Sequence, residues 1–400
     1  MTATLSRRMH AVTNAPRPVR HERSDAHHKP MPVVAVTGAA GGIGPALTAE
    51  LAASPQVKKV IAIDDHRGGS TGVTWRVADV RDPALAGRLT GVDVVVHADI
   101  NLSPEAGARE RRAYNVRGAQ TVLTAAAAGR VGRVILVTSA MVYGARPDNP
   151  VPLAEDAPLG AEPDSSVAGD MLEIEQLARR SPRANPGTSV TVVRPAALVG
   201  DAGDTLVTRH FEAPRLLTVR GCAPRWQFCH VDDLVSALVF AVTSGIGGGF
   251  AVGCDGWLEQ DEVVQISGLR GIELPAGLTF GTVQRLHQMG ITPAPAMDLR
   301  YVVYPWAVDC AVLRDAGWRP QYENAAALRV LLEQRAGRHA VAGRRIARKE
   351  AAITAASATV AAIGTAAIVR RARRRRRDSL RRDALTPCCL NRQHPVPLTP

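Results

Sequence analysis

The segment Thr37-Gly38-Ala39-Ala40-Gly41-Gly42-Ile43-Gly44 constrains the fold more than any other part of the chain. It follows the apolar run at 33–36 and leads directly into helical spacing at 45–53. Three glycines at this spacing, between a strand and a helix, serve three geometric needs. Gly38 permits a tight turn, Gly41 lets the backbone approach a pyrophosphate, and Gly44 lets the helix pack close to the strand. A pyrophosphate there meets free backbone N–H groups and the positive end of the helix. Thr37, Gly38, Gly41, Gly42, Ile43 and Gly44 are therefore expected to bind a dinucleotide. Asp64 stands twenty residues beyond Gly44, at the end of the next apolar run. A carboxylate there accepts hydrogen bonds from the adenosine ribose hydroxyls and repels a 2′-phosphate, which favours NAD over NADP. Arg67 lies close by and weakens that preference.

The pattern around this loop extends it to a fold class. Apolar β-branched runs at 33–36, 60–63, 73–77, 92–97, 134–137 and 190–193 alternate with helix-like stretches such as 113–128. Continuous apolar runs of this kind are strands buried on both faces, so the expected fold is α/β, a Rossmann-type doubly wound parallel sheet. Aromatic residues make up only 4% of the chain, so the core must be built from Ala, Val, Leu and Ile. After Arg194-Pro195 the elements become shorter and richer in Gly and Pro, although 231–243 reads as a helix opened by Asp232-Asp233. The expected organisation is a disordered N-terminal segment at 1–31, an NAD(P)-binding domain at 32–335 and a C-terminal tail at 336–400. Within the domain, 195–335 forms a smaller substrate-side region that returns segments to the sheet.

The formal net charge of +12 is concentrated in the tail, where 370–382 carries nine Arg and one Asp. Ahead of it, 351–369 holds no charge and is rich in Ala. A basic cluster beside an apolar helix-like stretch is expected to lie on an anionic membrane surface. A true span would put the Arg run outside a cytoplasmic domain, against the positive-inside rule. Nucleic acid is not the expected partner, because the folded body is close to neutral. The six cysteines show no metal-ligand spacing, so no metal is expected, and reduced thiols suit a cytoplasmic protein.

Further motifs follow in chain order. Asp79-Val80 comes after the third strand, and Val95-Val96-His97-Ala98 ends the fourth. Asn115-Val116-Arg117-Gly118 lies in a helix, and Thr138-Ser139-Ala140-Met141-Val142-Tyr143-Gly144 closes the fifth strand. Arg194-Pro195 and His230-Val231-Asp232-Asp233 complete the set. Together with the glycine loop these resemble the extended short-chain dehydrogenases/reductases, in the NAD-dependent epimerase/dehydratase group typified by UDP-galactose 4-epimerase. The resemblance covers about 290 residues. It implies that Asp79, Val80, His97, Ala98 and Asn115 join the cofactor site, that a sugar nucleotide is the substrate, and that the chain forms a homodimer.

The chain departs from that family where the chemistry takes place. The family carries Tyr-x-x-x-Lys on the helix after the Val-Tyr-Gly turn; here the aligned positions hold Val167 and Met171. Neither residue can accept a proton or contribute a charge, and losing a positioned acid–base group typically costs on the order of 10²–10⁴ in rate. Ser139 remains to orient a substrate. Asp99 stands where the family has a small apolar residue beside the nicotinamide, which makes it a candidate base; Tyr143, Asp170 and His230 are weaker ones. Two readings stay open: an enzyme with an unorthodox base, working by transient hydride transfer, or a catalytically impaired NAD-binding sensor or scaffold.

Overall fold

Seven parallel strands form the spine of the computed structural model, which describes residues 31–335 apart from 202–203, 276–279, 282–284 and 286–296, together with two short strands at 340–341 and 344–345. The strands are β1 (Val33–Thr37), β2 (Lys59–Asp64), β3 (Thr74–Val77), β4 (Val94–His97), β5 (Arg133–Val137), β6 (Ser189–Pro195) and β7 (Gly248–Val252). Their spatial order is β3-β2-β1-β4-β5-β6-β7, and every neighbouring pair is parallel. The order reverses between β1 and β4, the switch point at which open α/β sheets bind ligands at the carboxyl ends of their strands.

Side chains alternate across the sheet with the period of two that a strand imposes. Ile61, Ile63, Val95, Val134 and Leu136 face one helical layer, while Val60, Ala62, Val94, Val96, Ile135 and Val137 face the other. Both sets are buried, which is why the strands read as unbroken apolar runs. The first layer carries α2 (Ala108–Ala128) and α3 (Val167–Ala184); the second carries α1 (Gly44–Ala53) and α4 (Val231–Ser244). Helix α2 begins five residues earlier than its apolar spacing suggests, because the Arg-rich first turn uses Arg111 in a buried ion pair rather than in solvent.

The chain after β6 returns one strand, β7, to the sheet edge. Its Ala251 N–H donates to Glu155 Oε1 at 2.6 Å, and Val312 N–H donates to Oε2 of the same carboxylate at 2.7 Å. One side chain thus ties the turn region after β5, the last strand and the helix Ala311–Asp315 together. No helix of the described residues is long and apolar enough to cross a membrane. The segments 1–30 and 346–400, including the uncharged stretch and the Arg run, lie outside the described residues.

Candidate active site

The glycine loop closes over the end of β1 as a backbone cradle. Gly38 has φ +75°, and a Cβ there would meet Asp99 Cβ at 2.8 Å. Gly44 opens α1 against the loop itself; a Cβ there would stand 1.9 Å from the Gly38 carbonyl oxygen. Around Gly41, by contrast, the space a Cβ would take is open. Ile43 is the N-cap of α1 and provides no side-chain hydrogen bond; Gly44 N–H donates to the Gly41 carbonyl at 2.9 Å and Pro45 carries no N–H, so the Ala46 amide is what the first turn can offer to another acceptor. An open cradle at Gly41 beside an uncapped ten-residue helix fits a pyrophosphate.

The acidic side chains gather at the same end of the sheet. Asp64 Oδ2 accepts from Ala40 N–H at 2.8 Å and Oδ1 from Asp65 N–H at 2.8 Å, so its carboxylate is fixed against the loop. Asp79 pairs with Arg81, which holds its carboxyl below the usual carboxylate range, and Arg81 lies over the Tyr114 ring. Val80 is buried under α2, where a Cβ on Gly118 would come within 3.3 Å of it. His97 is buried at the end of β4 and bonds Thr37 through Nδ1 at 2.7 Å, with Ala98 next to it on the Thr37 carbonyl. Burial pushes the His97 imidazole down to about 4, so it is neutral at physiological pH. Asn115 is fully buried and exchanges two hydrogen bonds with the Asn101 backbone at 2.8 and 2.9 Å, pinning the loop after β4.

Asp99 sits on that pinned loop. It packs against Gly38 and accepts a hydrogen bond from the Tyr114 hydroxyl. Burial pushes its carboxyl up to about 6, with Asp64, Asp65 and Asp79 adding to the rise, although the Tyr114 bond opposes it. The structure thus places Asp99 at the foot of the glycine loop, engaged by a tyrosine that sequence reasoning did not single out.

A cavity lies over the carboxyl ends of β4, β5 and β6. About 550 Å³ of space, partly open to solvent, is bounded by Leu102, Ser139, Val167, Leu198, Asp298 and Tyr301, among others. Ser139 N-caps the short turn Ala140–Tyr143, its Oγ accepting from Met141 N–H at 3.2 Å, so its proton remains available to the cavity. Val167 reaches the same cavity, whereas Met171 is fully buried in the core below. Tyr143 is held between Arg194, at 2.8 Å, and the Glu155 carbonyl, at 2.7 Å. Arg194 pairs through two nitrogens with Glu175 at 2.7 and 2.8 Å, and Thr138 also donates to that carboxylate. Asp170 is bonded to Arg111 at 2.8 Å, and His230 caps α4 while stacking on Tyr322. Tyr143, Asp170 and His230 therefore brace the frame around the cavity.

The model of the NAD-dependent epimerase/dehydratase family matches residues 34–253, more than half of the chain. The chain belongs to that family. An uncharacterised protein of Mycobacterium tuberculosis is 30% identical over 308 residues, covering 74% of this chain and 82% of the relative. Among solved structures, MoeE5 in complex with UDP-glucuronic acid and NAD is similar with a TM-score of 0.57 and 23% identity, over 76% of this chain and 99% of that one. The UDP-glucose 4-epimerase of Thermus thermophilus in complex with NAD has a TM-score of 0.57 and 19% identity, over the same 76% of this chain and 99% of its own.

Within this epimerase/dehydratase frame, three features were missed at the level of sequence. Tyr114 and Arg111 sit in an ordinary helical pattern whose partners lie far along the chain. Asp298 follows a Pro- and Ala-rich stretch with no motif around it, yet it lines the cavity with Ser139 and Val167.

Proposed function

We propose that this epimerase/dehydratase family member binds NAD at the glycine loop and acts on a hydroxyl of a sugar nucleotide by transient hydride transfer. The observation that carries the reading is the cavity over the ends of β4, β5 and β6, with the Ser139 hydroxyl on its wall and the loop after β4 joining it to Gly38 through Asp99. The residues that would hold the dinucleotide are the loop from Thr37 to Gly44, Asp64 and the elements braced by His97 and Asn115. NAD, when bound, supplies a hydride acceptor; this chain positions the substrate and excludes water with an apolar wall. The sugar nucleotide is supported by neighbours such as MoeE5, whose complex contains UDP-glucuronic acid. A redox-silent sensor or scaffold, the alternative raised by Val167 and Met171, finds no support in the family match or in the structural neighbours.

Calorimetry with both cofactors tests the nucleotide preference. NAD is expected to bind more tightly than NADP, since the fixed Asp64 carboxylate repels a 2′-phosphate, and Asp64→Ala is expected to narrow the difference. Equal affinities in the unaltered protein would overturn the preference. Turnover is read by NMR with NAD and UDP-galactose, UDP-glucose or UDP-glucuronic acid.

The reading extends to the tail by its charge alone. Residues 370–382 carry a net charge of +8 and are assigned to an anionic membrane surface, where each basic residue contributes about 1 kcal/mol. Full-length protein is expected to sediment with phosphatidylserine vesicles at low salt and to be released by high salt. Retention through an alkaline carbonate wash would refute a surface attachment. The homodimer implied by the resemblance is checked by sedimentation of the same preparation.

A further inference from the structure

The positions that would carry the family's proton relay hold Val167 and Met171, so a proton leaving a substrate hydroxyl needs another acceptor. The described residues offer few. Tyr301 also reaches the cavity, but its hydroxyl donates to the Met141 carbonyl at 2.8 Å, and burial raises its phenol further still. Tyr143 is committed to Arg194 and Glu155, Asp170 to Arg111, and Asp99 to Tyr114 at the foot of the glycine loop.

Asp298 differs from Asp99 and Asp170 in bordering the cavity; Asp170 Oδ1 also lacks a hydrogen bond, but it faces Arg112 at 3.6 Å and lies off the cavity. Asp298 lies just before the helix Arg300–Val303, is 3% exposed, and lines the cavity together with Ser139 and Val167. Its carboxylate meets the Val167 backbone amide at the start of α3, while Oδ1 has no hydrogen-bond partner among the described residues. A buried carboxyl oxygen without a partner is costly to maintain unless a ligand or a proton completes it.

We propose that Asp298 is the general acid–base residue of this site, exchanging a proton with a substrate hydroxyl oriented by Ser139. The inference rests on the functional reading above and assigns it a residue. In the oxidative direction the substrate O–H bond breaks and its proton passes to Asp298. The carbinol C–H bond breaks with its electron pair leaving as hydride to the nicotinamide dinucleotide, the oxidant, and a C=O bond forms; reduction reverses each change.

The surroundings suit that role. Burial raises the Asp298 carboxyl to about 7; Asp164 and Asp170, before and on α3, add to the rise, and Arg111 on α2 and the Val167 amide oppose it. Tyr301, on the same short segment, contributes no charge in its neutral form. A group poised near neutrality can both take and return a proton. Because the Asp298 carboxyl is raised above its unfolded value, its contribution to stability is present below about pH 4 and is lost as pH rises through about 7.

The test uses the full chain and Asp298→Asn, which keeps the shape and an acceptor for the Val167 amide; Asp298→Ser is used if the amide variant does not fold. Difference infrared spectra between pH 5 and pH 9 should show a protonated carboxyl lost near pH 7 beside that of Asp99 near 6, and the component near pH 7 should be missing from the variant. NAD affinity should stay within about twofold. With UDP-galactose and NAD, turnover should fall by roughly 10²–10⁴, the typical loss for a positioned acid–base group. An unchanged infrared titration in the variant, or turnover retained within tenfold, overturns the assignment. Failure of NAD to bind the unaltered protein overturns the functional reading instead, and the infrared titration still rules on Asp298.

Discussion

Arg194→Met is expected to destabilise the protein by about 3–5 kcal/mol, the usual consequence of removing one partner from a buried ion pair. Glu175 is 1% exposed and would be left with the Thr138 hydroxyl as its remaining side-chain donor. The loss is large against a typical total stability of about 5–15 kcal/mol. The same change frees the Tyr143 hydroxyl from one of its two partners, so the turn carrying Ser139 should loosen as well. Urea melts of the single variant and of the double variant with Glu175→Leu separate the terms. Because an apolar pair can replace a buried ion pair at little cost, the double variant should recover part of the loss. A single variant within about 1 kcal/mol of the unaltered protein would show that the pair does not hold this region.

The second large effect contrasts two glycines of one loop. Gly44→Ala puts a methyl 1.9 Å from the Gly38 carbonyl oxygen, a backbone atom that cannot rotate aside. The start of α1 must then move, at a cost of about 1–3 kcal/mol or more, and the cradle moves with it. NAD binding should fall at least about a hundredfold, equivalent to about 2.7 kcal/mol, together with a lower melting temperature. Gly41→Ala meets no atom within 4 Å in the protein, so its melting temperature should barely change. Its methyl would still occupy the space assigned to the pyrophosphate, and NAD affinity should drop without a stability loss. Gly41→Ala with unchanged affinity would remove the pyrophosphate from that position.

What the sequence disclosed was what is local. The strands announce themselves because each is buried on both faces, as the alternating partition of Ile135 and Leu136 between two helical layers shows. The glycine loop is equally local, since strand, turn and helix are contiguous. Met171 was less legible: aligned position suggested that it faces the reacting groups, but the helix buries it in the core while Val167 alone of the pair reaches the cavity. Partnerships across the chain left no trace in the sequence. Arg111 and Asp170 are 59 positions apart, and a helix rich in Arg reads as a solvated face until its partner is placed. Asp298 was silent for the same reason, because nothing around it is periodic and its surroundings come from α2, α3 and the end of β5.

The pairing of β7 with β6 has a consequence for how the chain is made. Strand β6 ends at Pro195 and its outer neighbour begins at Gly248, so the ribosome must add more than fifty residues before β6 is paired on its outer side. At roughly 5–20 residues per second, that edge waits on the order of 3–11 s. During that interval Val192 and Val193 present an apolar, unpaired ladder, the kind of surface that recruits other strands. Nascent chains stalled anywhere between 195 and 248 should therefore be the species that chaperones hold and that aggregate when they are scarce. A dinucleotide loop complete by residue 44 gives such chains no protection, since the strand that pairs with β6 on its outer side is the last of the seven to emerge.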